Sequence, residues 1–365
     1  MSGALSVPLS TSGSGLSRIR DLACARPDHD IHHAFIAWAA DRVADPRERR
    51  LFQRMADRSG IAHRWSVLPP GSDGGSPVDG DGFYATHPLP PTSARMAHYA
   101  RLAPALAMQA IEKLSLDPAE ITHIVVASCT GFVAPGIDQI IARQLGLNAS
   151  VERLLIGFMG CYAGVTALRA ARHITRSQPD AVVLLVSVEL STLHLEETQA
   201  IEPLLAMLQF SDGAAAAIID GRDGPGVHLG AGLSLALPQS DELIRWDIGE
   251  QGFVMRLSGE VPARIEAALG EAATQAALFA DGVPANLAVH AGGRSILDAV
   301  ERAMALDPSA LAASRAVLTD CGNMSSATVL FVIERLWRGG AAGPGLALAF
   351  GPGLAAEAIA LDFAA

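Results

Sequence analysis

At 365 residues the chain is long enough for two packed halves, and half of its residues are apolar while only 18% are charged, so a large core can offset the ordering entropy. Disorder is thereby excluded, and a formal net charge of −11 leaves no global basic field to hold nucleic acid or anionic lipid. Aromatic residues make up just 5%, so Ala, Leu, Val and Ile must build the core, and a mean hydropathy of +0.29 adds an apolar subunit interface to the expectation.

Residues 1–18, rich in Ser and Gly, read as a flexible lead-in without an apolar leader before a cleavage site. A helical pattern runs over 31–55 (Phe35, Ile36, Trp38, Ala39, Val43) and ends in a basic stretch from Arg47 to Arg58. Residues 69–91, full of Pro, Gly and Asp, form a long irregular connection of the kind that is usually functional or floppy. A helix over 93–114 then leads to a strand over 123–128, a helix over 138–145 and a strand over 154–156. A helix over 162–175, a strand over 181–188 and a buried strand over 213–219 complete a first half, residues 19–220.

The second half, 221–365, repeats the rhythm more loosely. It has a helix over 261–279, a strand over 287–289, a helix over 294–304, a strand over 317–318 and a helix over 325–337. Two apolar strands, 345–350 and 355–361, turn at Gly351-Pro352-Gly353. Continuous apolar strands alternating with helices imply an α/β sheet covered on both faces, and two successive halves imply a duplicated, layered fold. The longest apolar runs, such as 181–186, are far shorter than a membrane span, so the expected setting is cytoplasmic with no membrane insertion.

The four cysteines, Cys24, Cys129, Cys161 and Cys321, are scattered, with no CxxC pair and no disulfide framework. Cys161 lies in Gly157-Phe158-Met159-Gly160-Cys161-Tyr162-Ala163-Gly164, between a strand and a helix. There the free amides and the positive end of the helix dipole favour thiolate over thiol. The alternative is a small buried hydrophobe, the commoner fate of a cysteine. His290 ends an apolar strand before Ala291-Gly292-Gly293, where open α/β sheets place their ligands, or else it is an ordinary loop histidine. Asn323, in Cys321-Gly322-Asn323-Met324-Ser325-Ser326-Ala327, is a natural helix cap whose amide could also donate to a developing oxyanion.

Several other features carry less. The string Gly351–Ala356 fits G-x-G-x-x-A, but too few residues follow for a βαβ unit. His29, His32 and His33 lack the Cys or carboxylate partners of a metal site and read as a solvated helix start, so no metal is expected.

Taken in order, Cys161, His290 and Asn323 resemble the reactive residues of the type III polyketide synthases, the chalcone-synthase-like enzymes. Gly160-Cys161-Tyr162-Ala163-Gly164 is similar to that family's nucleophile turn, and His290-Ala291-Gly292-Gly293 to its H-x-G-G turn. Gly322-Asn323-Met324-Ser325-Ser326-Ala327 looks like its GNMSSA signature. Phe350-Gly351-Pro352-Gly353 matches its GFGPG loop, with Ala349 departing in the first position. The likeness covers about residues 30–365 and includes Ile121-Thr122-His123 and Phe210–Ala215.

This resemblance implies a thiolase-like αβαβα fold of two similar halves, a homodimer, and no cofactor beyond coenzyme A thioester substrates. Cys161, paired as thiolate with His290, would accept an acyl group from an acyl-CoA starter. His290 and Asn323 would stabilise the enolate formed when malonyl-CoA loses CO2, which then attacks the Cys161-bound acyl group. Cyclisation would follow, to an aromatic or pyrone product of alkylresorcinol, alkylpyrone or phloroglucinol type.

By the same alignment Phe210 and Met255 would gate the tunnel, Met255 replacing a ring with a thioether. Trp246 would block one lobe of the cavity, while Cys129 and His194 would line it. Cys129 also admits a reading as a second nucleophile. Ala134 would sit where a neighbouring subunit reaches in, and Arg54 and Arg58 would hold the CoA phosphates. A carrier-protein-dependent β-ketoacyl synthase of the initiating type shares Cys, His and Asn but resembles the run after Asn323 less. A papain-like protease has different surroundings at its Cys. A non-catalytic acyl-binding homologue would not be expected to keep all three reactive residues.

Overall fold

Alternate residues of the apolar runs pack into different layers, and this determines the architecture. In the computed structural model, which describes residues 17–71, 75–279 and 282–364, the chain begins with β1 (Arg18–Ala25), β2 (His29–Asp30), α1 (His32–Arg42), α2 (Pro46–Asp57), β3 (Trp65–Ser66) and α3 (Thr92–Ile111). It continues through β4 (His123–Ser128), α4 (Ile137–Gln144), β5 (Glu152–Gly157), α5 (Ala163–Ser177), β6 (Val182–Leu190), α6 (Ile201–Met207) and β7 (Asp212–Asp220). Next come β8 (Gly226–Ala236), β9 (Ile244–Gly249), β10 (Gly252–Leu257), α7 (Val261–Gly270), α8 (Ala272–Leu278) and β11 (Asn286–Val289). The chain closes with α9 (Arg294–Ala303), α10 (Ala312–Cys321), α11 (Thr328–Arg338), β12 (Gly343–Gly351) and β13 (Ala355–Ala364).

Nine strands form one sheet in the order β11-β12-β13-β8-β1-β7-β6-β4-β5. The order is close to a mirror about the β8–β1 junction. On one side β4 pairs in parallel with β5 and β6, and β7 and β1 are antiparallel. On the other, β11 and β12 are parallel, with β13 and β8 antiparallel. This is the duplication inferred from element order.

Along β6, Val182, Leu184, Val186, Val188 and Leu190 face a core shared with α1 and α3, while Val183 and Leu185 face the opposite core with α5 and α11. A third core packs the other side of β11, β12 and β13 under α7 and α9. Outer helices, strands, the central pair α5 and α11, strands and outer helices make the five layers of the thiolase-like fold. Burial on both faces explains why β6 and β7 are apolar without interruption.

Several local expectations differ. The helix read over 31–55 is two, because Pro46 starts a new helix that Asp45 caps through Arg47 N–H (2.7 Å). The helix over 261–279 breaks between Gly270 and Glu271. Val317 and Leu318 are not a strand but lie inside α10, whose Ala-rich sequence carries the helix. The strands β1, β8, β9 and β10 and the short α6 were not expected. Of the lead-in, residues 1–16 lie outside the described residues, while Ser17 is buried and Arg18 opens β1 on an ion pair with Asp220 (3.0 Å).

Candidate active site

The three candidate residues sit on turns at element ends, each held by a short-range constraint. Cys161 follows β5 and precedes α5, and Ala163 N–H donates to Gly160 O (3.0 Å) to start the helix. Gly160 has φ +79°, and a Cβ there would come within 2.3 Å of Pro352, so the nucleophile turn and the Gly351-Pro352 turn pack directly together. His290 extends the β11 ladder by one more bond, its N–H donating to Leu348 O of β12 (2.8 Å). Asn323 follows α10 through Gly322, and its backbone pairs with residues 209–211, donating to Gln209 O (2.8 Å) and accepting from Ser211 N–H (2.9 Å).

The Asn323 side chain is fixed at both ends. Its Oδ1 accepts from Ser325 N–H (2.8 Å) at the start of the short turn Ser325–Ala327, whose N-cap position is Met324, and its Nδ2 donates to Gly292 O (3.1 Å). This turn role and the oxyanion role are therefore compatible, because the amide retains one N–H. Asn323 and Ser325 both lie close enough to the Cys161 sulfur to favour its thiolate. Gly292 carries the link to His290, and a Cβ there would sit 3.3 Å from the His290 Nε2. Cys161, Asn323 and the His290 loop thus form one connected unit.

The electrostatics of the site run against the helix-terminus expectation. Cys161 keeps partial solvent contact, yet burial of its sulfur pushes the thiol up to about 11. Ser325 and Asn323 beside it pull the other way without winning. Burial likewise pushes the His290 imidazole down to about 3, and its Nδ1 has no partner among the described residues. Each group taken alone is neutral at pH 7.

Behind Cys161 lies a buried carboxylate that the sequence reading did not single out. Glu189, at the end of β6, accepts from Cys129 N–H (3.0 Å), Thr130 Oγ1–H (2.8 Å), the Cys129 thiol (3.1 Å) and Ser326 Oγ–H. Burial pushes its carboxyl up, against all four of these hydrogen bonds. Cys129 Sγ also lies 3.1 Å from Ser325 Oγ, so Cys129 is packed into this network, and burial with Glu189 beside it pushes its thiol well above normal. These features make Cys129 a packed residue behind the cavity wall and argue against a second nucleophile, and it is not itself among the residues that line the cavity. A lone Glu after an otherwise apolar run was the available signal.

Phe210, Trp246, Met255 and His194 line one cavity of ≈ 60 Å³, and Met255 sits opposite Trp246 in the β9–β10 ladder. Trp246 Nε1–H donates to Cys129 O (2.8 Å), which brings the cavity wall against the Cys129 turn. His194 accepts from Phe253 N–H at Nδ1 (3.0 Å) and donates from Nε2 to Thr130 O (2.7 Å). Burial pushes it down to about 3, so it is a neutral structural ring, stacked on Phe253 at 4.2 Å. The irregular connection is functional in shape, since Ser76, Pro77, Val78 and Tyr84 close the same cavity.

Arg54 and Arg58 do not reach these residues. Both are exposed on α2, and Arg58 borders a separate open pocket of ≈ 460 Å³ with Arg294, while Arg54 lies outside its lining. Gln209 lines that pocket and also borders the site, because its carbonyl accepts from Asn323 N–H (2.8 Å) and its side chain packs on Gly293. His32 departs from the solvated reading: it is buried and its Nδ1 accepts from Arg64 Nε–H (3.2 Å). Among the described residues no group of three His, Cys, Asp or Glu converges as a metal would require, and no helix is long and apolar enough to cross a membrane.

Comparison with known proteins adds an independent line. The family models described as "Chalcone and stilbene synthases, N-terminal domain" and "C-terminal domain" match residues 35–224 and 229–363. The 1,3,6,8-tetrahydroxynaphthalene synthase of Streptomyces coelicolor is 34% identical, over 70% of either chain. The bisdemethoxycurcumin synthase of Oryza sativa subsp. japonica is 33% identical, over 74% of either chain. Among solved structures, PKS-I of the brown alga Ectocarpus siliculosus superposes with a TM-score of 0.86 at 27% identity, covering 97% of this chain and 100% of that one.

Proposed function

The chain belongs to the chalcone and stilbene synthase family, the type III polyketide synthases, which are malonyl-CoA-dependent acyltransferases, and on that premise we propose that Cys161, His290 and Asn323 are its catalytic residues. The observation that carries this reading is the Asn323 amide. It is fixed by Ser325 N–H and Gly292 O beside the Cys161 sulfur, whose thiolate it favours.

Cys161 Sγ attacks the carbonyl of an acyl-CoA starter, its proton passing to His290 and from there to the departing CoA thiolate, which leaves as free CoA and returns the ring to neutral. Malonyl-CoA then loses its carboxylate as CO2. The bonding electrons remain on the thioester as an enolate, whose oxygen accepts from the His290 ring and from Asn323 Nδ2–H. The enolate carbon attacks the Cys161 thioester and expels the Cys161 thiolate, lengthening the chain by two carbons on CoA. A neutral, desolvated His290 suits this work, because it donates without placing a permanent charge in the cavity. The lengthened chain then cyclises to an aromatic or pyrone product.

Phe210 and Met255 border the path of the acyl chain, while Trp246, Cys129 and His194 shape its end. Gly292 and Gly293 give the substrate close backbone approach. Arg58 holds the CoA phosphates at the open pocket, with Arg54 one helical turn away. The enzyme works as a homodimer, and residues 19–220 and 221–365 are its two halves. In support of the dimer, β5 is a sheet edge with Leu154 and Leu155 exposed, and Phe132, beside the Ala134 turn, is 45% exposed.

The test is incubation of the purified protein with malonyl-CoA and acyl-CoAs from acetyl to long-chain, with Cys161→Ala as control. Pyrones or resorcinols by mass spectrometry that vanish in the control are expected. Unchanged products in the control would remove Cys161 from the mechanism.

A further inference from the structure

The helix α2 carries an unusual outer face. Phe52 and Ala56 point into the core, and the opposite side presents Arg47, Arg50, Leu51, Arg54, Met55 and Arg58, all exposed. At about 100° per residue these six fall within one face, four guanidinium groups around two apolar side chains. Leu51 and Met55 are 41% and 45% exposed, which is much for large apolar residues. None of the four arginines pairs with a carboxylate among the described residues, and Glu48 and Asp57 lie at the margins of the face. On a chain with net charge −11 this is a local cationic patch.

Its position gives it meaning. Met55 and Arg58, at the C-terminal end of the face, border the open pocket that Gln209, bonded to Asn323, also lines. The phosphates of one CoA molecule account for the cations at that mouth. They do not account for Arg47 and Arg50, since Arg47 lies about 16 Å from Arg58 along the helix axis at ~1.5 Å per residue. Nor do phosphates explain an exposed Leu between arginines.

We propose that the Arg47–Arg50–Leu51 end of this face docks the acidic, amphipathic helix of an acyl carrier protein, which delivers a tethered starter acyl group through the same mouth to Cys161. The inference rests on the proposed acyl transfer at Cys161 and adds a second donor to it. The fit is one of charge and shape. Carboxylates on a partner helix meet the arginines, its apolar ridge covers Leu51 and Met55, and the tethered arm enters beside Arg58. Elsewhere the acidic surfaces of both proteins repel, so the patch orients the encounter.

The experiment compares Cys161 acylation from two donors of one acyl group, chosen as the best starter in the CoA panel. One donor is the CoA thioester and the other is an acidic bacterial acyl carrier protein loaded with that group. Intact-protein mass spectrometry follows the wild type, Arg47→Glu/Arg50→Glu and Leu51→Glu, each first checked for native circular dichroism and size.

Carrier-delivered acylation is expected to fall at least tenfold in both variants and to lose its salt dependence in the charge reversal, with CoA-delivered acylation within twofold of wild type. Carrier loading that is absent in the wild type, or equal in wild type and variants, overturns the proposal, as does an equal loss with both donors. Sedimentation with phosphatidylglycerol vesicles supplies the rival outcome: vesicle binding lost in the variants while carrier loading persists would assign the face to a lipid surface. If CoA loads Cys161 and the carrier does not, only this inference falls. If neither donor loads it, the acyl-transfer reading fails and takes the inference with it.

Discussion

Removing His290 should expose how the Cys161 thiol is ionised. Burial, only partly offset by Ser325 and Asn323, pushes that thiol up to about 11, and burial pushes the imidazole down to about 3, so neither group ionises by itself near neutrality. Transfer of one proton from thiol to imidazole creates two opposite charges together. At ~4 Å and an effective dielectric of ~20 their attraction is worth ~4 kcal/mol, equivalent to about 3 pH units. That closes less than half of the gap between about 11 and about 3, so the resting pair stays neutral and the proton moves to His290 as the thiol attacks. In His290→Ala the proton acceptor is gone and the cost of burying the thiolate remains, so the rate of iodoacetamide alkylation of Cys161 near neutral pH should fall about tenfold or more. The assay is peptide-level mass spectrometry after short pulses, which separates Cys161 from Cys24, Cys129 and Cys321. Identical rates in wild type and variant would show that His290 does not accept the Cys161 proton, and would restrict it to the enolate.

Asn323→Ala should slow malonyl-CoA decarboxylation by at least tenfold more than it slows starter loading, read by CO2 release against acyl-enzyme formation; equal losses would reduce Asn323 to a turn residue. Trp246→Gly should open the lobe behind the Cys129 carbonyl, to which the indole now donates at 2.8 Å, and shift products toward longer chains or bulkier starters. An unchanged product profile with a folded protein would mean that the indole does not bound the chain. Glu189→Gln places an amide N–H₂ among the donors of Cys129, Thr130 and Ser326 and should cost about 1–3 kcal/mol in denaturant unfolding. No loss of stability would imply that the carboxyl is already protonated and donating. Leu155→Glu at the edge strand should shift the protein from dimer to monomer in analytical ultracentrifugation, and an unchanged dimer would move the interface elsewhere.

The sequence was most informative where function is local. Cys161, His290 and Asn323 each lie in a short Gly-containing turn after a strand or helix, so residue type and immediate neighbours suffice to nominate them. The layers were legible for a related reason: β6 and β7, covered on both faces, read as unbroken apolar runs. By contrast β9 and β10 form a separate hairpin with partly exposed strands, and β8 interleaves glycines with apolar residues, so none gave a clear period.

The cavity wall was illegible because it is assembled at long range. Glu189 receives its hydrogen bonds from residues 59, 60 and 137 positions away, and no local pattern announces that convergence. The same reasoning separates the two kinds of specificity in this enzyme. In the proposed mechanism acyl selection depends on the hairpin pair Trp246 and Met255, on Phe210 and on the Ser76–Val78 loop, which come from three distant segments to enclose ≈ 60 Å³. Donor selection, as proposed, depends on α2, where Arg47, Arg50 and Leu51 are near neighbours on one exposed face. Substitutions on α2 can therefore change which thioester is accepted without disturbing the cavity, whereas a change at Trp246 also loosens the bond that positions the Cys129 turn. Product range and donor range should accordingly vary independently, and a double variant combining Arg47→Glu/Arg50→Glu with Trp246→Gly should show the two effects multiplied in rate with no interaction between them.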